Sequence, residues 1–211
     1  MGDSKIVYVP IFMNVSGMRV LVAGGGDVAL RKIRRLSAAG AEVHVVSPAI
    51  QDSIREISGV TCETRRVRDE DLTPYLRLVI LATDDTDVQE KMAGLCRRLG
   101  ILCNRCDAPE DGDFVTGSVI DSPPVMAAVT ASGVPAMARL VRERFEKALE
   151  PALLDLAGLL EEVRPRLKEC RVDAACRAGF FRRWASEQAV DDIRKRGRDV
   201  VREEMMRCLS C

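Results

Sequence analysis

Six consecutive residues, Gly24-Gly25-Gly26-Asp27-Val28-Ala29, constrain this chain more than any other stretch. They follow an apolar run, Met18-Arg19-Val20-Leu21-Val22-Ala23, and open a segment of helical spacing that ends near Gly40. A strand, a tight glycine turn and a helix N-terminus are what a dinucleotide pyrophosphate requires. The first Gly permits the sharp turn, and the second lets the backbone approach the phosphates. The third position must be small so that helix and strand pack closely, and Ala29 is small. The helix start then offers unpaired N–H groups and a partial positive charge to the anion. Val43-His44-Val45-Val46 follows Gly40 and completes strand–helix–strand within about 30 residues, as the fingerprint demands. Glycine turns are common without any ligand, so it is this flanking periodicity that carries the dinucleotide reading.

The same alternation continues downstream. The spacing predicts a short helix over 50–57, a strand over 60–67 and a buried parallel strand over 76–82, the last nearly all apolar. A helix over 86–99 is closed by Gly100, and a strand over 101–103 follows. This order predicts an α/β fold with a parallel, doubly wound, Rossmann-like sheet. Beyond it the pattern changes. Two strands, 114–120 and 124–130, flank the Ser122-Pro123-Pro124 turn. From Pro135 onward the pattern is helical: Met137, Leu140, Val141, Phe145 and Leu149 recur at helical spacing, 152–167 is amphipathic, and two more helices follow. Such stripes are core or subunit contact.

Composition narrows the function classes. With 47% hydrophobic residues in 211, the chain has material for a packed core. A formal net charge of zero gives no field favouring nucleic acid or membrane, and one Trp and two Tyr are few for stacking on bases. No run approaches the ~18 apolar residues of a membrane span, no N-terminal stretch resembles a signal peptide, and Ile6 stands where a myristoylation site beginning Met1-Gly2 needs Ser or Thr. The expected location is cytoplasmic. There the eight Cys are expected as reduced thiols. Cys103/Cys106 and Cys208/Cys211 are CxxC pairs, and Cys170 and Cys176 extend the second into a four-Cys set. Its spacing fits no familiar zinc pattern, and the only His, His44, lies in a predicted strand, so no metal site is expected. Between Arg164 and Cys211 stand 13 Lys/Arg against 8 Asp/Glu. This is either a solvated helical surface or a basic wall for a polycarboxylate.

In a doubly wound sheet, ligands bind outside the carboxyl ends of the strands. The second strand ends at Val46, followed by Ser47-Pro48-Ala49. An acid there marks NAD and an Arg marks NADP. This chain has neither, and the missing Arg tilts the cofactor toward NAD. The fourth strand ends at Ala82-Thr83-Asp84-Asp85, which places Thr83 and Asp84 to face the nicotinamide half and Asp85 to cap the next helix. The fifth ends at Asn104-Arg105-Cys106-Asp107. Asp107 is either a functional carboxylate at the sheet end or a turn former before Pro109.

Together these residues resemble the precorrin-2 dehydrogenase/sirohydrochlorin ferrochelatase family, the N-terminal module of siroheme synthase. The resemblance is carried by Pro10-Ile11-Phe12, residues 24–29 with Arg31-Lys32, and Gly40-Ala41. It continues through Ala82-Thr83-Asp84-Asp85, Asn104-Arg105-Cys106-Asp107-Ala108-Pro109, Phe114, and Ala138-Arg139-Leu140 with Arg142-Glu143. It implies a dehydrogenase oxidising precorrin-2 to sirohydrochlorin with NAD, and in some members Fe²⁺ insertion at the same site. It implies a homodimer joined through the region after the Rossmann domain, and a division into 1–115 (dinucleotide binding), 116–150 (dimerisation) and 151–211 (helical). The family's key acid falls on Asp107. Its cofactor contacts fall on Gly24, Gly25, Gly26, Asp27, Val28, Pro48 and Ala49, to which the strand ends add Ser47, Thr83, Asp84 and Asn104. Asp107 would accept the proton that accompanies hydride transfer, and two pyrrole protons on metal insertion.

The chain departs from the family pattern at Gly117, where Pro is usual, and at Asp121-Ser122-Pro123-Pro124, which lacks an Arg. It departs again in a shortened turn over 130–135. All three fall in the region to which the resemblance assigns substrate and dimer contacts. The competing class is a non-catalytic dinucleotide-sensing regulatory module of the same fold. Another oxidoreductase type stays open, but a short-chain dehydrogenase is not expected, because the fourth residue after Tyr75 is Val79 and after Tyr8 is Phe12, not Lys.

Overall fold

The computed structural model describes residues 8–131, 133–170 and 173–209. Met1, Gly2 and Ile6 of the myristoylation comparison, Ser132 of the shortened turn and Cys211 of the second CxxC pair lie outside them. The chain divides into two units, Met1–Thr116 and Gly117–Cys211.

The first unit runs β1 (Arg19–Ala23), α1 (Asp27–Ala38), β2 (Glu42–Ser47), α2 (Asp52–Arg55), β3 (Val60–Thr64), β4 (Leu78–Leu81), α3 (Thr86–Leu99) and β5 (Leu102–Arg105). Its five strands are parallel in the order β3-β2-β1-β4-β5. This is the doubly wound arrangement, and the strand order reverses between β1 and β4. Alternation along β1 supplies both faces. Val20 and Val22 pack with Ala29 and Ile33 of α1 and Ile54 of α2. Leu21 and Ala23 pack with Met92, Ala93 and Cys96 of α3. Every residue of β4 is buried, as its apolar run requires.

The second unit holds an antiparallel pair, β6 (Ser118–Ser122) and β7 (Val125–Val129), followed by α4 (Pro135–Ala148), α5 (Pro151–Glu169), α6 (Ala174–Trp184), α7 (Glu187–Arg196) and α8 (Arg198–Arg207). Leu156, Leu159 and Val163 of α5 share a core with Val190 and Ile193 of α7 and Val201 and Met205 of α8.

Several boundaries differ from the sequence reading. The helix expected over 50–57 shortens to one turn, Asp52–Arg55. The strand expected over 60–67 stops at Thr64, because Arg65 turns its side chain onto Glu63 and Asp71 and the chain enters a 3₁₀ turn. β5 extends to Arg105, since its register with β4 runs from Leu78↔Leu102 to Leu81↔Arg105. Three helices, not two, follow α5. Gly197 lies between α7 and α8 at φ +87°, a left-handed backbone that ends one helix before the next begins. Some of the cations of this region are paired with acids of the same unit. Arg194 pairs with Glu150, Arg196 with Glu204 and Arg202 with Glu162.

Candidate functional site

β1 delivers the chain to the point where the strand order reverses, and the glycine turn begins there. Gly24 has φ +136°, and a Cβ on it would lie 2.2 Å from the Ala82 carbonyl oxygen, so only glycine fits. Gly25 is equally confined: its Cβ would lie 2.1 Å from the Ala49 carbonyl oxygen. Gly26 is different, because a Cβ there meets nothing within 4 Å. The space in front of Gly26 is left open by the protein, where the fingerprint calls for close approach of a phosphate. Gly26 also precedes α1, whose N-terminus receives no side-chain cap. Its first N–H groups therefore face that space with the positive end of the helix dipole behind them. Ala29, fully buried, lets α1 lie close on the sheet.

Around this turn lies a cleft of about 850 Å³. Its lining brings together Gly24, Gly25, Gly26, Asp27, Val28, Ser47, Pro48, Ala49, Thr83 and Asp84, ten residues expected there from sequence. Two hydrogen bonds tie the β2 loop to the glycine turn. The Gln51 N–H donates to the Gly25 carbonyl at 3.1 Å, and Gln51 Nε2 donates to Asp27 Oδ1 at 3.0 Å. Ser47 Oγ donates to the Ala49 carbonyl at 2.8 Å and so holds its own turn. Asp85 caps α3, its Oδ1 accepting from the Val88 N–H at 3.2 Å.

Asn104 and Asp107 are placed differently. Neither lines the cleft. Asn104 is buried, and its Nδ2 donates to the Phe114 carbonyl at 2.8 Å, pinning the segment that leaves β5. Asp107 stands one strand beyond the cleft wall, past the end of β5. Arg105 grips it with two bonds, Nη2 to Oδ2 at 2.8 Å and Nε to Oδ1 at 3.2 Å, and the Ala108 N–H donates to Oδ1 at 2.8 Å. The Arg105 guanidinium holds the Asp107 carboxyl below its usual range. Partial burial opposes that shift, and the Ala108 N–H adds to it. Asp107 is thus an ionised carboxylate at neutral pH.

Three further residues at or beside the cleft escaped sequence reasoning. Gln51 braces the turn as described. Gln89, 1% exposed, donates Nε2 to the Thr83 carbonyl at 2.6 Å and fixes the β4–α3 corner. Arg66 lines the cleft from the loop after β3. Its position was legible in one respect: β3 pairs with β2 through Ser47↔Thr64, so residues just past Thr64 emerge at the same sheet end as Ser47. Among the described residues, no group of three or more His, Cys, Asp or Glu is arranged to hold a metal ion, and Cys211 lies outside them. No helix among them is long and apolar enough to cross a membrane.

Curated relatives match most of this chain. It is 36% identical over 166 residues to siroheme synthase of Nitrosococcus oceani, covering 77% of this chain and 35% of that protein. It is 36% identical over 207 residues to siroheme synthase of Thioalkalivibrio sulfidiphilus, covering 96% of this chain and 42% of that protein. The chain therefore spans less than half the length of these relatives. Among solved structures, SirC, a precorrin-2 dehydrogenase, superposes with a TM-score of 0.76 at 19% identity, covering 96% of this chain and 98% of that one. The two share a fold. The family described as "Putative NAD(P)-binding" matches residues 11–118, a span that contains the glycine turn, the cleft and all five parallel strands. With just over half of its residues inside that match, this chain belongs to that NAD(P)-binding family.

Proposed function

We propose that this chain oxidises precorrin-2 to sirohydrochlorin with NAD⁺, the dehydrogenase step of siroheme synthesis. The observation that carries the reading is the pairing of a dinucleotide cleft with 36% identity to a siroheme synthase along 96% of the chain. A regulatory module of the same fold needs the cleft but not the acid beside it.

The reaction removes a hydride and a proton from the substrate and yields NADH and H⁺. Bound nicotinamide supplies the hydride acceptor. The chain's residues do the rest. The open space at Gly26 and the uncapped start of α1 receive the pyrophosphate, and the corner at Thr83 and Asp84, braced by Gln89, orients the remainder of the dinucleotide. Asp107 accepts the proton. Its depressed pKa makes it a weak base, but loss of hydride leaves a cationic macrocycle whose neighbouring C–H is acidic, so a weak carboxylate base suffices. Arg105 keeps that base ionised and ready.

The relatives' name, siroheme synthase, supports a following Fe²⁺ insertion, with Fe²⁺ as substrate and Asp107 as acceptor of the pyrrole protons. We further propose a cytoplasmic homodimer joined through the region 116–150. Met137, Leu140 and Phe145 of α4 are exposed apolar side chains, which suits a subunit contact better than a core. The enzyme reading is tested by anaerobic incubation of the chain with precorrin-2 and NAD⁺. NADH appearance supports it, and folded protein that binds NAD⁺ without turnover returns the chain to the regulatory class.

A further inference from the structure

We propose that Arg66 admits a 2′-phosphate at the adenosine end of the cleft, so that the chain accepts NADP⁺ as well as NAD⁺. The inference rests on the cleft being a dinucleotide site and extends it to cofactor choice.

Two features of the strand ends converge on this reading. The first is a missing acid. A site restricted to NAD places Asp or Glu at the end of β2, where the carboxylate holds the ribose hydroxyls and repels a 2′-phosphate. Here Ser47 occupies that position, is 8% exposed, and spends its hydroxyl on the Ala49 carbonyl. None of Ser47, Pro48 and Ala49 is anionic, so the strand end itself carries no charge that excludes the phosphate.

The second is a cation delivered from the next strand. Because Ser47 lies beside Thr64, the chain leaving β3 rises alongside residues 47–49. Two arginines come next, and their environments separate them. Arg65 is committed, gripping Asp71 through both terminal nitrogens at 2.7 and 2.8 Å and Glu63 through Nε at 2.7 Å. Arg66 instead lines the cleft with Ser47, Pro48 and Ala49. It makes one 3.3 Å contact, Nη1 to Asp85 Oδ2, and its side chain is 78% exposed. An exposed single-bond ion pair contributes little to stability. Asp85 meanwhile stays fixed by its cap on α3. Arg66 can therefore leave Asp85 for a phosphate, which offers a doubly bonded, dianionic partner in place of a single carboxylate oxygen. Asp84 lines the same cleft and Asp85 stands 3.3 Å from Arg66, and both carboxylates oppose the added negative charge. The balance is acceptance of both cofactors rather than preference for the phosphorylated one.

Calorimetric titration of the full chain with NAD⁺, NADP⁺, 5′-AMP and 2′,5′-ADP tests this without turnover. The wild type is expected to bind NADP⁺ within about tenfold of NAD⁺. Arg66→Ala is expected to weaken NADP⁺ and 2′,5′-ADP by about tenfold or more, the scale of one charge-assisted contact, while NAD⁺ and 5′-AMP change less than about threefold. Retained NAD⁺ binding also shows that the variant is folded. A ratio of NADP⁺ to NAD⁺ affinity that moves less than about threefold on Arg66→Ala overturns the proposal while leaving the dinucleotide cleft intact. If the wild type binds neither dinucleotide, the cleft reading itself fails, and the proposal with it.

Discussion

Gly25→Ala and Gly26→Ala, adjacent changes in one turn, separate packing from binding. A Cβ on Gly25 lies 2.1 Å from the Ala49 carbonyl oxygen and 2.7 Å from Ile50 Cα. Both are backbone atoms, so no side chain can swing aside to relieve the overlap. The loop after β2 has to shift, and the Gln51 N–H bond to the Gly25 carbonyl is the first contact at risk. Overpacking of this kind costs about 1–3 kcal/mol. For a chain of this size that lowers the thermal midpoint by roughly 2–4 °C per kcal/mol. A Cβ on Gly26 meets nothing within 4 Å, and its φ of −93° suits any residue. Gly26→Ala therefore leaves the midpoint within about 2 °C of wild type, the range of a neutral surface change. Its methyl group instead fills the space kept for the phosphates. Loss of one charge-assisted hydrogen bond costs about 1.5–3 kcal/mol, so NAD⁺ affinity falls by about tenfold or more. Scanning calorimetry reads the first effect and isothermal titration the second. Wild-type NAD⁺ affinity in Gly26→Ala would refute the placement of the pyrophosphate. An unchanged midpoint in Gly25→Ala would refute the steric reasoning.

Asp107→Asn keeps the shape and removes the proposed base. Turnover is expected to fall by about 10²–10⁴-fold, while NAD⁺ affinity, measured by titration, stays within about threefold because Asp107 is outside the cleft lining. The same change leaves Arg105, whose side chain is 10% exposed, with Asp111 as its carboxylate partner, and costs about 1–3 kcal/mol of stability in denaturant titrations. The Asp107 carboxyl also couples stability to acid. Its folded pKa lies below the unfolded value of about 3.9, so its contribution is complete above that value and is lost as pH falls through the folded pKa. Wild-type stability is expected to drop below about pH 4 more steeply than that of Asp107→Asn, as read by thermal melts across that interval.

Much of the site was legible because its requirements are local. Turn, strand and helix start follow one another within a dozen residues, so glycine chemistry and periodicity locate them together. The Asp85 cap and the Gly100 stop of α3 are equally local: the acid precedes the helix and the glycine, at φ 69°, ends it. What sequence missed depends on contacts between distant segments. The central glycine of the turn, Gly25, is a free position in the pattern, yet it is confined by Ala49, more than twenty residues away. Arg66 is not legible from the residues that follow β2, because it reaches the cleft from the loop after β3, and only the pairing of β3 with β2 brings that loop to the same sheet end. Asn104 sits on the expected strand end, but its amide is used by the Phe114 carbonyl, a partner that periodicity does not reveal. The division between α7 and α8 is hidden for the opposite reason: the apolar stripe continues past Gly197, and only the backbone at that glycine divides it.

We propose that the cleft and Asp107 together form one redox site. It is tested most directly by anaerobic incubation of the full chain with precorrin-2 and NAD⁺, recording NADH and sirohydrochlorin from the same sample. Both are expected together in equal amounts, and Asp107→Asn is expected to slow both to the same extent. Sirohydrochlorin formed without matching NADH, or wild-type rates in Asp107→Asn, would contradict it.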